Sequence, residues 1–157
     1  MPMIDPYQKI KDLLDLKEAW YQEWEHEPVY TSLEASQARN EPMNSGAKAL
    51  LFKAETQFFL AVVPGGEKVS FKKLKKVLGR KNIRMAYPEE VKEVMGCKIG
   101  ACYPLGSVAE LETVIDESLL DNNEVSFNPG VHDKTIKMKT RDLFALSAGK
   151  KVDILNI

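Results

Sequence analysis

Apolar residues recur at helical spacing in five segments of the chain, and the residues that flank these segments are ones that begin or end helices. Asp5 and Pro6 open the first segment, since an aspartate accepts bonds from early amides and proline needs no donor at the first helical position. Thr31 and Glu34 form a capping box before the second. We predict helices over residues 6–16, 32–38, 71–78, 88–95 and 140–146, the last capped by Thr140 or Asp142.

Continuous or alternating apolar runs predict the strands. Residues 47–54 and 58–63 favour a buried hairpin, which Pro64-Gly65-Gly66 ends. Residues 20–26 either extend the first helix or form a strand, and we favour the strand. Further strands are predicted over residues 83–86, 113–115, 124–127 and 134–138. Strands with helices scattered among them indicate an α/β fold of the α+β type, with a mixed, largely antiparallel sheet flanked by helices.

The composition narrows the class of protein. A chain of 157 residues is typical of one domain, so we predict a single domain over residues 1–157. The formal net charge of −1 gives no overall attraction to nucleic acid or membranes, so a polyanion would have to meet a local patch. No apolar stretch approaches the roughly 20 residues that cross a bilayer, and residues 1–9 lack a leader pattern. These features predict a cytoplasmic protein without a membrane partner.

A basic segment lies between Glu67 and Lys81, and it contains a single acidic residue. Its charges face away from the apolar stripe of the predicted helix. One interpretation is a solvated helix face. The other is a surface that follows RNA phosphates, with Lys72, Lys73 and Lys76 as the contacts.

Lys48 interrupts the apolar run from Ala47 to Phe52. Burying a lysine charge without a partner is costly, so Lys48 needs a polar cavity, a partner or an anionic ligand. A strand-end lysine that reaches solvent is the other interpretation.

Cys97, Cys102 and His132 suggest a metal site or a thiol nucleophile. A C-x4-C spacing lacks the usual geometry of a zinc knuckle, and the chain has only two histidines, so we predict no metal. A Cys102/His132 catalytic pair stays open, since its orienting group cannot be located from sequence. Two close cysteines do not indicate a secreted disulfide framework, which favours reduced thiols.

Several segments, in this order along the chain, resemble the YbaK and prolyl-tRNA-synthetase-associated editing domains. They are Lys48-Ala-Leu-Leu-Phe, Val62-Val-Pro-Gly-Gly, Pro88-Glu-Glu-Val, Gly96-Cys-Lys-Ile-Gly-Ala-Cys-Tyr-Pro-Leu-Gly106, Ile115-Asp-Glu-Ser-Leu and Asn128-Pro-Gly-Val-His132. Upstream, His26-Glu-Pro-Val-Tyr-Thr31 resembles the free-standing PrdX and ProXp-ala members. The resemblance covers residues 10–146, and its specificity comes from the order and spacing together.

The resemblance implies a hydrolase that removes wrong amino acids from transfer RNA in trans, with no metal or organic cofactor. Lys48 matches the family's functional lysine, and Gly100 and Pro104 match the ends of its G-x-x-x-P loop. In the family, loop amides hold the ester carbonyl or the attacking water, assisted by the 2′-hydroxyl of the terminal adenosine. Gly130 and His132 match a loop that lines the amino-acid pocket in some members; a structural hydrogen bond is the alternative for His132.

Two residues depart from the commonest family pattern: Ala101 stands where many members have glycine, and Tyr103 stands where many have serine. Together with Cys102 they are expected to adjoin the amino-acid pocket, so the substrate is open. Alanine on the proline transfer RNA is our first choice, before serine, threonine or cysteine esters. The expected partners are the acceptor end of mischarged transfer RNA and, as an option, a synthetase, but not DNA. The alternatives are a noncatalytic RNA-binding or synthetase-docking module and a thiol hydrolase.

Overall fold

The computed structural model describes residues 5–157, so the prediction made for the N-terminal segment falls partly on residues 1–4, which lie outside this range. All five predicted helices are present. Asp5 begins the first, where its carboxylate accepts a bond from the Gln8 amide, and Thr31 caps the second by accepting from the Glu34 amide. The helices are α1 (Pro6–Leu16), α2 (Ser32–Arg39), α3 (Phe71–Leu78), α4 (Pro88–Met95) and α5 (Thr140–Leu146).

Two local details differ from the prediction. Neither Thr140 nor Asp142 caps α5, because Lys139 occupies the cap position without a side-chain bond and the Thr140 hydroxyl donates to the carbonyl of Asn122. The apolar pattern of residues 71–78 also predicts an inward Phe71, but Phe71 is the first residue of α3 and is 42% exposed, with its ring in T-shaped contact with that of Phe52.

The predicted strands are present, and the segment around Trp24 is a strand rather than a helix extension. A short edge strand after α5 was not predicted, because two lysines in three residues give no apolar pattern. Three 3₁₀ turns also escaped prediction. The strands are β1 (Tyr21–Glu25), β2 (Ala47–Ala54), β3 (Gln57–Pro64), β4 (Ile83–Met85), β5 (Glu112–Asp116), β6 (Glu124–Phe127), β7 (Lys134–Lys139) and β8 (Lys150–Val152).

The predicted fold class is confirmed, and the strands divide between two sheets. One has the order β1-β7-β6 and is antiparallel, while the other has the order β4-β2-β3-β5-β8. The β3/β5 and β5/β8 ladders are parallel and the β2/β3 and β2/β4 ladders antiparallel, so antiparallel pairing predominates. A parallel bridge between Gly46 and Ser126 links the two sheets.

Two apolar cores hold these layers together. The larger lies between the two sheets and includes Ile10 and Leu14 of α1, with Val91 and Met95 of α4. The smaller lies on the other face of the five-stranded sheet, where Leu74 anchors α3. Successive residues of β2 point to opposite faces, so Ala47, Ala49 and Leu51 join the larger core while Phe52 joins the smaller. Within residues 5–157, no helix is long and apolar enough to span a bilayer.

Candidate active site

A cleft with a cavity volume of about 320 Å³ opens where the two sheets meet. Its walls come from several separated parts of the chain: α2 with the residues just before it, the turn into β2 and the start of β2, Gly65 after β3, the loop that follows α4, the end of β6, and Thr135 on β7. Lys48 and Gly100, two of the residues singled out from the sequence, both line it.

The cleft exists because β2 is paired on one side only along its first half. β4 pairs with residues 52–54 of β2, and the linking bridge lies at Gly46. Gly46 accepts a bond from the amide of Gly65, whereas the Leu51 carbonyl accepts from Ala86 on the opposite side. Backbone groups alternate in direction along an antiparallel strand, so the N–H and C=O of Ala47 and Ala49 point towards the cleft side.

Lys48 is half-buried at this open end of β2. Its Nζ donates to the backbone carbonyl of Glu67 at 2.5 Å, and within the described chain no carboxylate forms an ion pair with it. Burial lowers the pKa of Lys48, the Glu67 carboxylate opposes this shift, and Lys68 adds to it. The ammonium group is thus partly desolvated beside a cleft, with a neutral carbonyl as its hydrogen-bond partner.

Gly100 has a positive φ of +92°, a backbone conformation that glycine adopts without the strain that a side chain would cause. The Ala101 amide donates to the carbonyl of Lys98 at 3.0 Å, which closes a turn. The amides of Gly100 and Cys102 have no backbone acceptor among residues 5–157, and both residues line the cleft. The loop therefore presents two unpaired N–H groups near the cleft.

Three predicted site residues of the same loop lie in the interior instead. Tyr103 is fully buried and its hydroxyl donates to the carbonyl of Met95 at 2.8 Å, while Ala101 is 1% exposed. Burial raises the pKa of Tyr103. Pro104 is also buried, and none of the three lines the cleft. Ala101 and Tyr103 are expected from the sequence to adjoin the pocket, but in the structure their side chains pack beneath the loop and support it.

Gly130 and His132 also support the loop rather than line the cleft. A Cβ at Gly130 would lie 2.6 Å from the Pro6 side chain, so this turn packs tightly on the start of α1. The His132 ring lies 4.5 Å from that of Tyr30, a residue of the cleft wall, and its Nε2 is 3.2 Å from the Ile99 carbonyl. The structural hydrogen bond, one of the two roles expected for His132, is present.

The thiols pair with each other rather than with a histidine. The Cys97 and Cys102 sulfurs are 3.9 Å apart, whereas the ring of His132 is bonded to Ile99, so the suggested Cys102/His132 pair does not form. Cys97 is buried, and Cys102 is half-buried on the cleft wall. In the part of the chain that the structure describes, no three His, Cys, Asp or Glu side chains gather as metal ligands.

The basic helix α3 begins close to Lys48. Lys68, just before α3, is near enough to lower the pKa of Lys48. Lys72 and Lys76 are exposed, while Lys73 is half-buried and forms an ion pair with Asp153 at 3.1 Å. Two of the three predicted RNA contacts are thus unpaired in residues 5–157, and the third is partly neutralised.

Two cleft residues were missed from the sequence. Arg39 has a side chain only 4% exposed, and its guanidinium bonds Ser45 and Pro42 in the turn that leads into β2. Ser126, on β6, is 1% exposed, and its hydroxyl has no partner in the described residues. A serine inside the apolar run 125–127 is a usable signal for a polar wall, whereas nothing local marks Arg39.

The fold and the cleft define an α/β protein with a partly desolvated lysine beside a small cavity and a loop along it in which two amides have no backbone acceptor among the described residues. A family model for the aminoacyl-tRNA editing domain matches residues 26–146. The chain belongs to this family, and the family predicted from the sequence is confirmed.

Individual relatives agree with this assignment. The chain is 29% identical over 152 residues to the multifunctional Ser/Thr-tRNA deacylase ProXp-y of Escherichia coli K12, covering 94% of this chain and 91% of the relative. It is 37% identical over 79 residues to the proline–tRNA ligase of Thermosipho africanus, but that match spans only 14% of the ligase. A crystal structure named as a proposed trans-editing enzyme for prolyl tRNA synthetase superposes with a TM-score of 0.86 at 25% identity, covering 99% of this chain and 100% of the other.

Replacing Tyr103 by phenylalanine tests its supporting role. Tyr103→Phe leaves the buried Met95 carbonyl without its donor, so we expect the free energy of unfolding to fall by about 1–3 kcal/mol. Denaturant unfolding measures the change. Tyr30→Phe is the control, since Tyr30 is 61% exposed, and its stability should change by less than about 0.5 kcal/mol. If Tyr103→Phe were as stable as the unmodified protein but had lost activity, Tyr103 would be a substrate contact rather than a structural support.

Proposed function

We propose that this protein hydrolyses the ester bond between a transfer RNA and a wrongly attached small amino acid, at the cleft that Lys48 and Gly100 share. Membership of the editing-domain family makes aminoacyl-tRNA deacylation the general activity. The main support for this site is that these two residues, far apart in sequence, line the same cavity. The terminal adenosine with its aminoacyl group is the part of the substrate that enters.

In the proposed reaction, water attacks the ester carbonyl and the transfer RNA leaves as the alcohol. The amides of Gly100 and Cys102 are the proposed donors to the oxyanion that develops, because neither has a backbone acceptor in the described residues. Donors fixed before the reaction stabilise such charge without reorganisation, and an activated ester needs little more than positioning. The 2′-hydroxyl of the adenosine is proposed to orient the water.

Lys48 is proposed to bind the negative charge of the substrate's phosphate end or the developing oxyanion. Its hydrogen-bond partner is a neutral carbonyl, and its charge is partly desolvated. An anionic group gains more from such a cation than from one fully in water, because the lower local dielectric strengthens the attraction. The basic face of α3 extends this charge, and we propose that it follows the acceptor stem.

The identity of the amino acid follows from the cleft wall. Alanine on the proline transfer RNA stays the prediction from sequence. Ser126 on the wall adds a reason to rank seryl and threonyl esters beside it, since its hydroxyl has no partner in the described residues and an unpartnered hydroxyl favours a ligand that can bond it. The Escherichia coli relative named a Ser/Thr-tRNA deacylase supports this extension.

We also propose that the whole chain acts as one domain. α1 and β8 lie outside the residues matched by the family model, yet Ile10, Leu14 and Val152 contribute to the two cores. Since the relatives include both a free-standing deacylase and ligases in which the match is a small part, we propose action in trans, with a synthetase as an optional partner.

A panel of mischarged transfer RNAs tests the reaction and its selectivity. We expect ester loss from seryl, threonyl or alanyl transfer RNA, measured as kcat/KM for each. In Ser126→Ala the kcat/KM for the hydroxylated esters should fall about tenfold, the equivalent of one hydrogen bond, relative to that for the alanyl ester. The alanyl ester is the internal control. No ester loss on any substrate would contradict the deacylase and favour the noncatalytic RNA-binding module.

Replacing Lys48 by methionine should separate activity from stability. Lys48→Met keeps most of the apolar stem but removes the charge, so we expect kcat/KM to fall by about 100-fold or more, the loss typical of one electrostatic contact to the transition state. The fold should be at least as stable at neutral pH, because a desolvation cost is removed. Single-turnover hydrolysis and denaturant unfolding measure the two effects.

The pH dependence provides a second readout on Lys48. Burial lowers its pKa, so the unfolded chain binds more protons in the window between the folded pKa and the ordinary lysine pKa near 10.4. Stability of the unmodified protein should therefore gain from rising pH in that alkaline window, and Lys48→Met should lack this gain. A destabilised variant that hydrolyses normally per folded molecule would remove Lys48 from the site.

Charge reversal on α3 tests the RNA surface. Lys72→Glu with Lys76→Glu should raise KM far more than it lowers kcat, and should flatten the plot of log affinity against log salt by about 0.7–0.9 for each phosphate that the variant no longer neutralises. The control is Lys9→Glu with Lys17→Glu, the same charge change at exposed positions on and just after α1. An equal rise in KM in both double variants would indicate a general effect of net charge. An unchanged KM in Lys72→Glu with Lys76→Glu would mean that α3 is only a solvated surface and does not bind RNA.

A further inference from the structure

The two cysteines flank Gly100, the glycine with positive φ in the loop of the candidate active site. Cys97 follows Gly96, the C-cap of α4, Cys102 lies on the cleft wall, and Gly100 is between them. Their sulfurs are 3.9 Å apart, close enough for a hydrogen bond between thiols. A disulfide needs about 2.05 Å, so the sulfurs have to approach by roughly 2 Å.

The two thiols are unequal in exposure and in acidity. Cys97 is 5% exposed, whereas Cys102 is reachable from the cleft. The hydrogen bond from Cys97 lowers the pKa of Cys102, and the same interaction together with burial raises the pKa of Cys97. Thiolates are the reactive form of cysteine, so the accessible sulfur is also the more nucleophilic one, with a second thiol behind it.

We propose that Cys97 and Cys102 form a reversible redox site, in which a hydroperoxide entering the cleft converts them to a disulfide and inactivates the site by displacing its loop. This assignment goes beyond the proposed deacylation, and only its effect on activity rests on that function. The arrangement of one accessible thiolate beside a buried resolving thiol is that of thiols oxidised in two steps.

The chemistry balances with the hydroperoxide as the only oxidant. The Cys102 thiolate attacks the terminal peroxide oxygen, the O–O bond breaks, and the alkoxide leaves as an alcohol after taking a proton, which gives a sulfenic acid. The Cys97 sulfur then attacks the Cys102 sulfur, its proton passes to the departing hydroxide, and water leaves. Two thiols lose two electrons in total, and the peroxide is reduced to an alcohol and water.

Disulfide formation displaces the loop because its surroundings are close-packed. His132 Nε2 would lie 3.2 Å from a Cβ on Gly100, and the Ala101 amide is bonded in the turn to Lys98. Drawing Cys102 towards α4 moves the Gly100 and Cys102 amides relative to Lys48, which belongs to a different element. A displacement of about 1 Å costs of the order of 100-fold in rate when catalysis depends on positioning.

The experiment treats the full-length protein with hydrogen peroxide and maps the thiols after trypsin digestion. Lys98 lies between the cysteines, so trypsin separates them into two peptides unless a disulfide joins them. We expect the joined peptides to appear in step with a loss of deacylation of the order of 100-fold, and dithiothreitol to reverse both. This mapping needs no activity, so it stands even if every substrate of the panel fails.

Cys97→Ala and Cys97→Ser are the matched variants, since Cys97 does not line the cleft. Both should keep the reduced-state activity, form no joined peptide, and accumulate sulfinic acid at Cys102 that dithiothreitol does not reverse. Either variant suffices if the other fails to fold. Oxidised native protein without the joined peptides, or joined peptides with an unchanged rate, would overturn the proposal.

Discussion

The incomplete pairing of β2 determines where the cleft of this protein opens. A strand with an unpaired edge exposes backbone donors and acceptors that need partners. Here β4 covers only residues 52–54, and the chain then turns into α4 at Pro88, a residue that cannot donate to a ladder. Beyond the single bridge between Gly46 and Ser126, the first half of β2 therefore faces a cavity instead of a neighbouring strand. Lys48 and the backbone of Ala49 lie on that cavity because no strand is there to cover them.

Most local structure could be predicted because it is encoded locally. Asp5, Thr31, Ser70 and Pro88 each begin a helix where the sequence places them, and the apolar runs of β2 and β3 needed no distant information. The division of the strands into two sheets was not predictable from these patterns, since pairing partners such as β1 and β7 are more than 100 residues apart. Local periodicity does not encode such pairings.

The site was predictable in its residue types and less so in their orientation. Lys48 and Gly100 line the cleft, as the family resemblance implied, but Tyr103 and Ala101 belong to the interior beneath the loop. In an irregular loop no fixed period relates the directions of neighbouring side chains. Which of them point inward therefore cannot be predicted from the sequence. Tyr103 is hydrophobic enough to be buried and its hydroxyl bonds the Met95 carbonyl, so membership of the same loop as Gly100 did not place its side chain on the cleft wall.

The loop after α4 is tightly packed, but it also contains one pair of thiols whose oxidation would strain it. Beneath it, Tyr103 and Pro104 are buried and Gly130 is packed against Pro6, so the loop has little freedom to relax. Rigid positioning is what amide donors need for catalysis. It also means that a change at a single pair of atoms, the sulfurs of Cys97 and Cys102, cannot be absorbed locally and is transmitted to Gly100. In a flexible loop the same two thiols would have little influence on the cleft. The packing that would hold the proposed amide donors in place is thus the packing that would make the loop sensitive to oxidation.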